Sequence, residues 1–206
     1  MTLGAAPDAG PTIQEDRHRL YQQPFPTGDY SFMQLAFVVD DVIEASRRWA
    51  DLQGVGPFFV LPDRGPAIVR HRDVETSLHC RMAVSQAGPL QIELIEQLTD
   101  GPSVYRDIHG PVGVGAHHLC TMTRDYDKSV AHYVDRGLEL AAEQHAEGIG
   151  RVCYIDTSKE LGLMTEIVEW SDAFLAMLSG TARACARWDG TDPVRVLRLT
   201  GGYDVA

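Results

Sequence analysis

Two stretches of the chain carry polar side chains at matched places. Gly115-Ala116-His117-His118-Leu119-Cys120-Thr121-Met122-Thr123-Arg124-Asp125 reads as a short strand running into a helix, and Gln34-Leu35-Ala36-Phe37-Val38-Val39-Asp40-Asp41 echoes it. With Gln34 laid on His118, Asp41 falls on Asp125, Trp49 on Tyr133 and Asp51 on Asp135. Each copy closes in a similar strand, Ile92-Glu93-Leu94-Ile95-Glu96 in the first and Thr165-Glu166-Ile167-Val168-Glu169 in the second. An amide, an imidazole and two carboxylates therefore recur as two pairs, Gln34 with Glu93 and His118 with Glu166. Alternate residues of a strand share a face, so Gln34, Ala36 and Val38 point one way and His118, Cys120 and Met122 the matching way. Read singly, each of the four is as readily an exposed polar side chain. Read as a matched set, they are candidates for one shared site.

The doubled pattern over roughly residues 32–170 resembles the vicinal-oxygen-chelate superfamily, the glyoxalase I, methylmalonyl-CoA epimerase and extradiol dioxygenase group. The resemblance implies an α+β fold of two paired βαβββ modules that form a cupped mixed sheet. It also implies one divalent metal between them, with ligands on the first and last strands of each module. Gln34, Glu93, His118 and Glu166 fall on those places. Two carboxylates turned into one apolar cup raise each other's pKa, and a divalent cation cancels their charge. Three oxygen ligands and one imidazole suit Zn, Ni, Co, Mn or Mg better than a soft metal. Four protein ligands leave two places on an octahedral ion, as a substrate with two adjacent oxygens requires.

That arrangement implies an enzyme, an isomerase or lyase that removes a proton next to a carbonyl. Small acyl thioesters and hemithioacetals are substrates of this kind. In glyoxalase I, which the quartet resembles in residue type, a ligand glutamate doubles as the base; by position Glu166 is the first candidate and Glu93 the second. Methylmalonyl-CoA epimerase carries His at the place of Gln34 and Gln at the place of Glu93, and this sequence departs from it there. Two alternatives remain. An extradiol dioxygenase uses two His and one carboxylate around Fe(II), and Gln34 replaces one of those His. A metal-free binding protein of the bleomycin-resistance kind keeps the fold and lacks the polar set.

Around these residues the chain divides into a leader (1–30), a first module (31–98), a connecting segment (99–114), a second module (115–170) and a C-terminal helix and tail (171–206). The leader is rich in Pro, Gly and charge, with one helical turn expected near 15–20. Asp41 and Glu44 form a capping-box pattern, and Val42, Ala45, Trp49 and Leu52 follow at helical spacing until Gly54. Strands are expected over 67–86 and 90–98, separated by the turn signal Ala87-Gly88-Pro89. The second module repeats the plan with a helix over about 126–136 and Gly137 as its stop. Ser171 caps a last helix, which Arg187-Trp188-Asp189-Gly190 breaks; the course of the tail after 190 is left open.

Three further features have plain readings. Glu96 and Glu169 lie on the opposite strand faces and read as solvated. His117 faces away from His118 by alternation and reads as a packed or edge histidine, although a slip of one residue would exchange the two. The run Arg70-His71-Arg72 reads as a solvated strand end, with contact to a phosphate or thioester tail as the functional alternative.

Composition narrows the partners. A chain of 206 residues with 44% hydrophobic residues suffices for a core without staples. A net charge of −11 disfavours nucleic acid and anionic membrane as main partners. The four cysteines have no C-x-x-C spacing and read as buried thiols of a reducing compartment. With no signal-like or membrane-spanning run, a cytoplasmic location is expected. A homodimer is expected too, since members of the superfamily commonly pair.

Overall fold

Strand β1 (Ser31–Val38) and strand β7 (Gly115–Thr123) pair antiparallel at the centre of the molecule. The computed structural model describes residues 31–206 apart from 112, 147 and 148, so the leader and its expected helical turn lie outside the described residues. From β1 the sheet continues through β6 (Leu90–Gln97), β5 (Cys80–Ala87) and β2 (Phe58–Val60). From β7 it continues through β10 (Met164–Glu169), β9 (Gly150–Ile155) and β8 (Leu140–Ala146). β6 runs parallel to β1 and β10 parallel to β7, while β5 and β9 are antiparallel to their inner neighbours. The result is the expected mixed, cupped α+β sheet, with the two halves joined along β1 and β7.

Helix α1 (Val42–Gln53) covers the outer face of the first half, and helix α3 (Tyr126–Val134) that of the second; α2 (Val104–Asp107) lies in the connecting segment. The side chain of Asp41 accepts from Ile43 N and Glu44 N at 2.8 and 2.9 Å, satisfying amides that a helix start leaves free. Gly54 ends α1 at φ 63, a left-handed conformation that suits glycine. Trp49 packs on Phe37 with ring centroids 5.3 Å apart, whereas Leu52, expected on the apolar stripe, is exposed. Val42, Phe58 and Leu94 anchor the core under α1; Tyr126, Ile155 and Ile167 anchor that under α3.

The largest core cluster lies on the inner face. It holds Ala36, Val38, Ile95, Cys120, Met122 and Val168, and Phe174 and Leu178 of α5 (Asp172–Ala186) join it. Helix α5 reaches β5, where Cys185 Sγ contacts Ser85 Oγ at 3.5 Å, so the C-terminal helix spans both halves. A short helix α4 (Ser158–Leu161) precedes β10.

Two additions extend the twofold plan. The stretch 67–78 forms a hairpin, β3 (Ala67–His71) and β4 (Val74–Leu78), that leaves the first half and pairs with β8 of the second. Its turn uses Arg72 and Asp73 at φ 45 and 66. In the tail, β11 (Val194–Leu197) joins β2 in parallel, and β12 (Tyr203–Val205) forms the sheet edge.

The basic run on this hairpin is fully compensated. Arg70 pairs with Asp73, His71 with Asp107, and Arg72 with Asp107, Glu139 and Asp156. Arg70 is exposed and pairs within the hairpin, in keeping with a solvated strand end, whereas His71 and Arg72 depart from that reading: they fasten the hairpin to the connecting segment through Asp107, and Arg72 also to the second half through Glu139 and Asp156. Glu96 and Glu169 are likewise engaged. Glu96 accepts from Val42 N at the start of α1 and from Arg81, and Glu169 pairs with Arg151.

Candidate active site

Cross-strand register decides which side chains meet. Ala36 of β1 stands opposite Glu93 on one side and His118 on the other. One register step away, Gln34 stands opposite Gln91 and Cys120, and Cys120 stands opposite Glu166. The small, fully buried Ala36 leaves room above it, so Glu93 and His118 can approach across the β1 strand. His118 Nε2 lies 3.4 Å from Glu93 Oε2 and 3.3 Å from Glu166 Oε2. Glu93, His118 and Glu166 are thus brought together from three strands, at 9%, 0% and 7% exposure.

Gln34 is buried nearby but turned elsewhere. Its Nε2 donates to Gln91 Oε1 at 2.7 Å, which leaves its own carbonyl oxygen outside that bond. Gln91 Nε2 and Gln86 Oε1, both buried, have no hydrogen-bond partner.

Charge divides the two carboxylates. Burial pushes the Glu93 pKa up; His118 offsets only part of this, and the nearby Glu166 adds to the rise. Burial acts on Glu166 too, but the positive charge of the nearby His118 outweighs it, and Cys120 and Tyr154 add to the effect, so the Glu166 pKa is lowered. For His118, burial alone would lower the pKa; Glu166 and Glu93 reverse this and raise it to about 9. Tyr154 also touches Tyr105 through their hydroxyls at 3.0 Å.

His117 does not face away from its neighbour. β7 carries one extra residue between Ala116, opposite Phe37, and His118, opposite Ala36; that residue is His117. Such a bulge re-aims a side chain and breaks simple alternation. His117 is fully buried, with Nδ1 2.9 Å from His118 Nδ1 and Nε2 2.9 Å from the Val104 carbonyl oxygen. Sequence periodicity cannot show a bulge; the adjacent pair of histidines was the available signal. Ala36, Cys120 and Tyr154 were likewise absent from the candidate site, although the first two lie on the faces that alternation assigned to it.

Among the described residues, no group of three or more His, Cys, Asp and Glu side chains is arranged to hold a metal ion as it stands. The donor chemistry nevertheless fits a divalent cation. His118 Nε2 is buried and has no aligned hydrogen-bond partner, although two carboxylates lie within ion-pair distance of it. Two buried carboxylates around that nitrogen favour positive charge between them, which a proton on His118 supplies in part and a divalent cation in its place would supply more fully.

The chain belongs to the Glyoxalase/Bleomycin resistance protein/Dioxygenase superfamily, whose family model matches residues 33–154. That match includes Gln34, Glu93 and His118 and ends before Glu166. The hypothetical protein BH1468 from Bacillus halodurans C-125 is similar in fold, with 14% identity over 69% of this chain and 96% of that one, at a TM-score of 0.50. The methylmalonyl-CoA epimerase of Mycobacterium tuberculosis aligns at 16% identity over 70% of this chain and 91% of that one, with a TM-score of 0.48. A variant of the Streptomyces coelicolor methylmalonyl-CoA epimerase aligns at 15% identity over 68% of this chain and 96% of that one, at 0.46. Such identities bear on fold alone. No curated protein matches the chain in sequence. No helix among the described residues is long and apolar enough to cross a membrane.

Proposed function

We propose that this protein is an isomerase or lyase that takes a proton from the carbon next to a carbonyl, on a small acyl thioester or hemithioacetal. The observation that carries this reading is the convergence of two buried carboxylates, one from each half, on a single buried imidazole nitrogen. Glu93, His118 and Glu166 would hold one divalent metal, with Gln34 completing the set by turning from Gln91. When bound, such a cation is a Lewis acid that polarises a carbonyl oxygen and favours loss of the neighbouring proton.

The proton itself is moved by carboxylates. Position made Glu166 the first candidate base and Glu93 the second; the environments favour the reverse order. Glu166 is stabilised as an anion by His118, Cys120 and Tyr154. Glu93, with its pKa raised by burial, binds a proton more readily, and an effective general base has a pKa drawn toward the working pH. Glu93 takes the proton in this scheme and, once protonated, is the group that returns it, while Glu166, reaching in from the other half, stays ionised beside His118. The inner-face cluster around them keeps the site dry. Pairing with a second copy belongs to the same reading: the sheet ends in two edge strands, β12 and β4, which can template association.

The test is a panel of 2-methyl acyl thioesters, hemithioacetals and catechols incubated with metal-loaded protein in deuterated water. Deuterium at the carbon next to the carbonyl, without oxygen consumption, is the expected result. Oxygen uptake with a catechol and Fe(II) would give the site to the ring-cleaving dioxygenases instead.

A further inference from the structure

The pair His117 and His118 carries an inference about how the site is prepared. A carbonyl oxygen only accepts hydrogen bonds, so the 2.9 Å contact with Val104 requires a proton on His117 Nε2. A neutral His117 ring then has a bare Nδ1, and its full burial among Tyr105, Tyr154 and His118 leaves a charged ring no water. That bare nitrogen faces His118 Nδ1 at 2.9 Å, so the proton between them sits on His118 and is donated to His117. Nε2 of His118 is thereby left as the nitrogen that faces Glu93 and Glu166, whether or not it carries a proton.

We propose that His117 is a positioning residue: the chain from His118 Nδ1–H through His117 to the Val104 carbonyl fixes the tautomer of His118 and dedicates Nε2 to the carboxylate pair. The backbone is built for this. Without the extra residue in β7, alternation would send His117 to the other side of the sheet. The rings of His117 and His118 stand nearly perpendicular at 87°, and Tyr105 packs against His117 at 5.2 Å, so the pair has little freedom to turn. Val104 belongs to α2, which ties the orientation of His118 to the segment joining the two halves.

The first half supplies a control. β1 has its own extra residue at the equivalent place, Met33, immediately before Gln34. Met33 is also fully buried. Gln34 has no tautomer to fix, and an apolar thioether fills its bulge. The half that carries an imidazole carries a second imidazole behind it. A partner that orients a metal-binding histidine typically governs affinity by about 10–100-fold.

The relevance of this tautomer to cation binding rests on the proposed metal site; the tautomer itself does not. Histidine-labelled protein is therefore examined first without metal or substrate, by long-range proton–nitrogen NMR and nitrogen–nitrogen coupling across the Nδ1–Nδ1 hydrogen bond. The expected result is a slowly exchanging proton on His118 Nδ1, coupled to an unprotonated His117 Nδ1. A proton found instead on His117 Nδ1 overturns the proposal. The second arm titrates zinc into the wild type, His117→Phe and His117→Gln. Phe keeps ring bulk without an acceptor, whereas the Gln amide offers both an acceptor and a donor. Zinc affinity is expected to fall about 10–100-fold in His117→Phe and to be largely restored in His117→Gln. Wild-type zinc binding by His117→Phe, with His117→Gln the weaker, would reduce His117 to packing.

Discussion

The two halves of the sheet place different chemistry on equivalent frames. In the first, Gln34 turns to Gln91, and Glu93 has His118 as its source of relief from burial. In the second, His118 is backed by His117 and Val104, and Glu166 is flanked by His118, Cys120 and Tyr154. Duplicated strands set the positions, and neighbours set the roles. The second half surrounds its buried carboxylate with polar side chains in place of water; the first leaves its carboxylate under-compensated and ready to bind a proton. A strictly symmetric site would have given two equivalent acids with no division of labour.

The largest effects should come from neutralising the two carboxylates one at a time. Glu93→Gln removes the proposed base and should lower turnover by about 10²–10⁴-fold. Most metal affinity should survive, because Glu166 and His118 remain. Glu166→Gln should cost more in metal affinity, since it removes the carboxylate held in its anionic form. Parallel turnover and calorimetric titrations decide this; a larger affinity loss in Glu93→Gln would invert the assignment of roles.

The pH dependence of stability separates the halves next. His118 has a folded pKa of about 9 against an ordinary 6.5. Its contribution to the metal-free protein is complete below pH 6.5 and disappears as pH rises through 9. The raised pKa of Glu93 acts in the same direction, so its contribution is also lost with rising pH. Glu166, with a lowered pKa, contributes above its ordinary 4.5 and loses that contribution as the pH falls. Urea midpoints measured without metal should therefore decline between pH 6.5 and 9. Saturating zinc should flatten that decline, because metal replaces the proton on Nε2. A metal-free midpoint that rises across this interval would contradict the charge assignment of the site.

Smaller effects probe the spaces between the ligands. Ala36→Val adds bulk where Glu93 and His118 approach each other over β1, and overpacking of this kind costs about 1–3 kcal/mol. Gln34→Ala removes the bond to Gln91 and should cost about 1 kcal/mol by urea denaturation. Its zinc affinity should fall less than that of Glu166→Gln. A Gln34→Ala variant with the greater loss of affinity would restore Gln34 to equal standing with the second half.

The fold was legible because it is written twice. Matched strands, the Asp41 cap and the stops at Gly54 and Gly137 are local signals, and each is realised locally. The meeting of Glu93, His118 and Glu166 follows from strand register, which the repeat made visible. What escaped reading has physical reasons. The hairpin of β3 and β4 turns through Arg72 and Asp73, non-glycine residues in the left-handed region, so no glycine marks it. The partners of Arg72 lie 35 to 84 residues along the chain, and sequence alone presents its charge as free. His117 was misdirected because alternation holds only until a bulge intervenes. Tyr154 reaches the site from β9 through Glu166, a neighbour that only the assembled sheet provides.

Glu93, His118 and Glu166 are proposed to form one cation-holding unit. Elemental analysis of protein equilibrated with zinc, nickel, cobalt, manganese or magnesium and then freed of excess metal tests it most directly, with His118→Ala alongside. About one metal equivalent per wild-type chain is expected, as a single shared site requires, with loss of most of it in His118→Ala. Wild-type protein that retains none of these metals, or a His118→Ala variant that retains them undiminished, would contradict it.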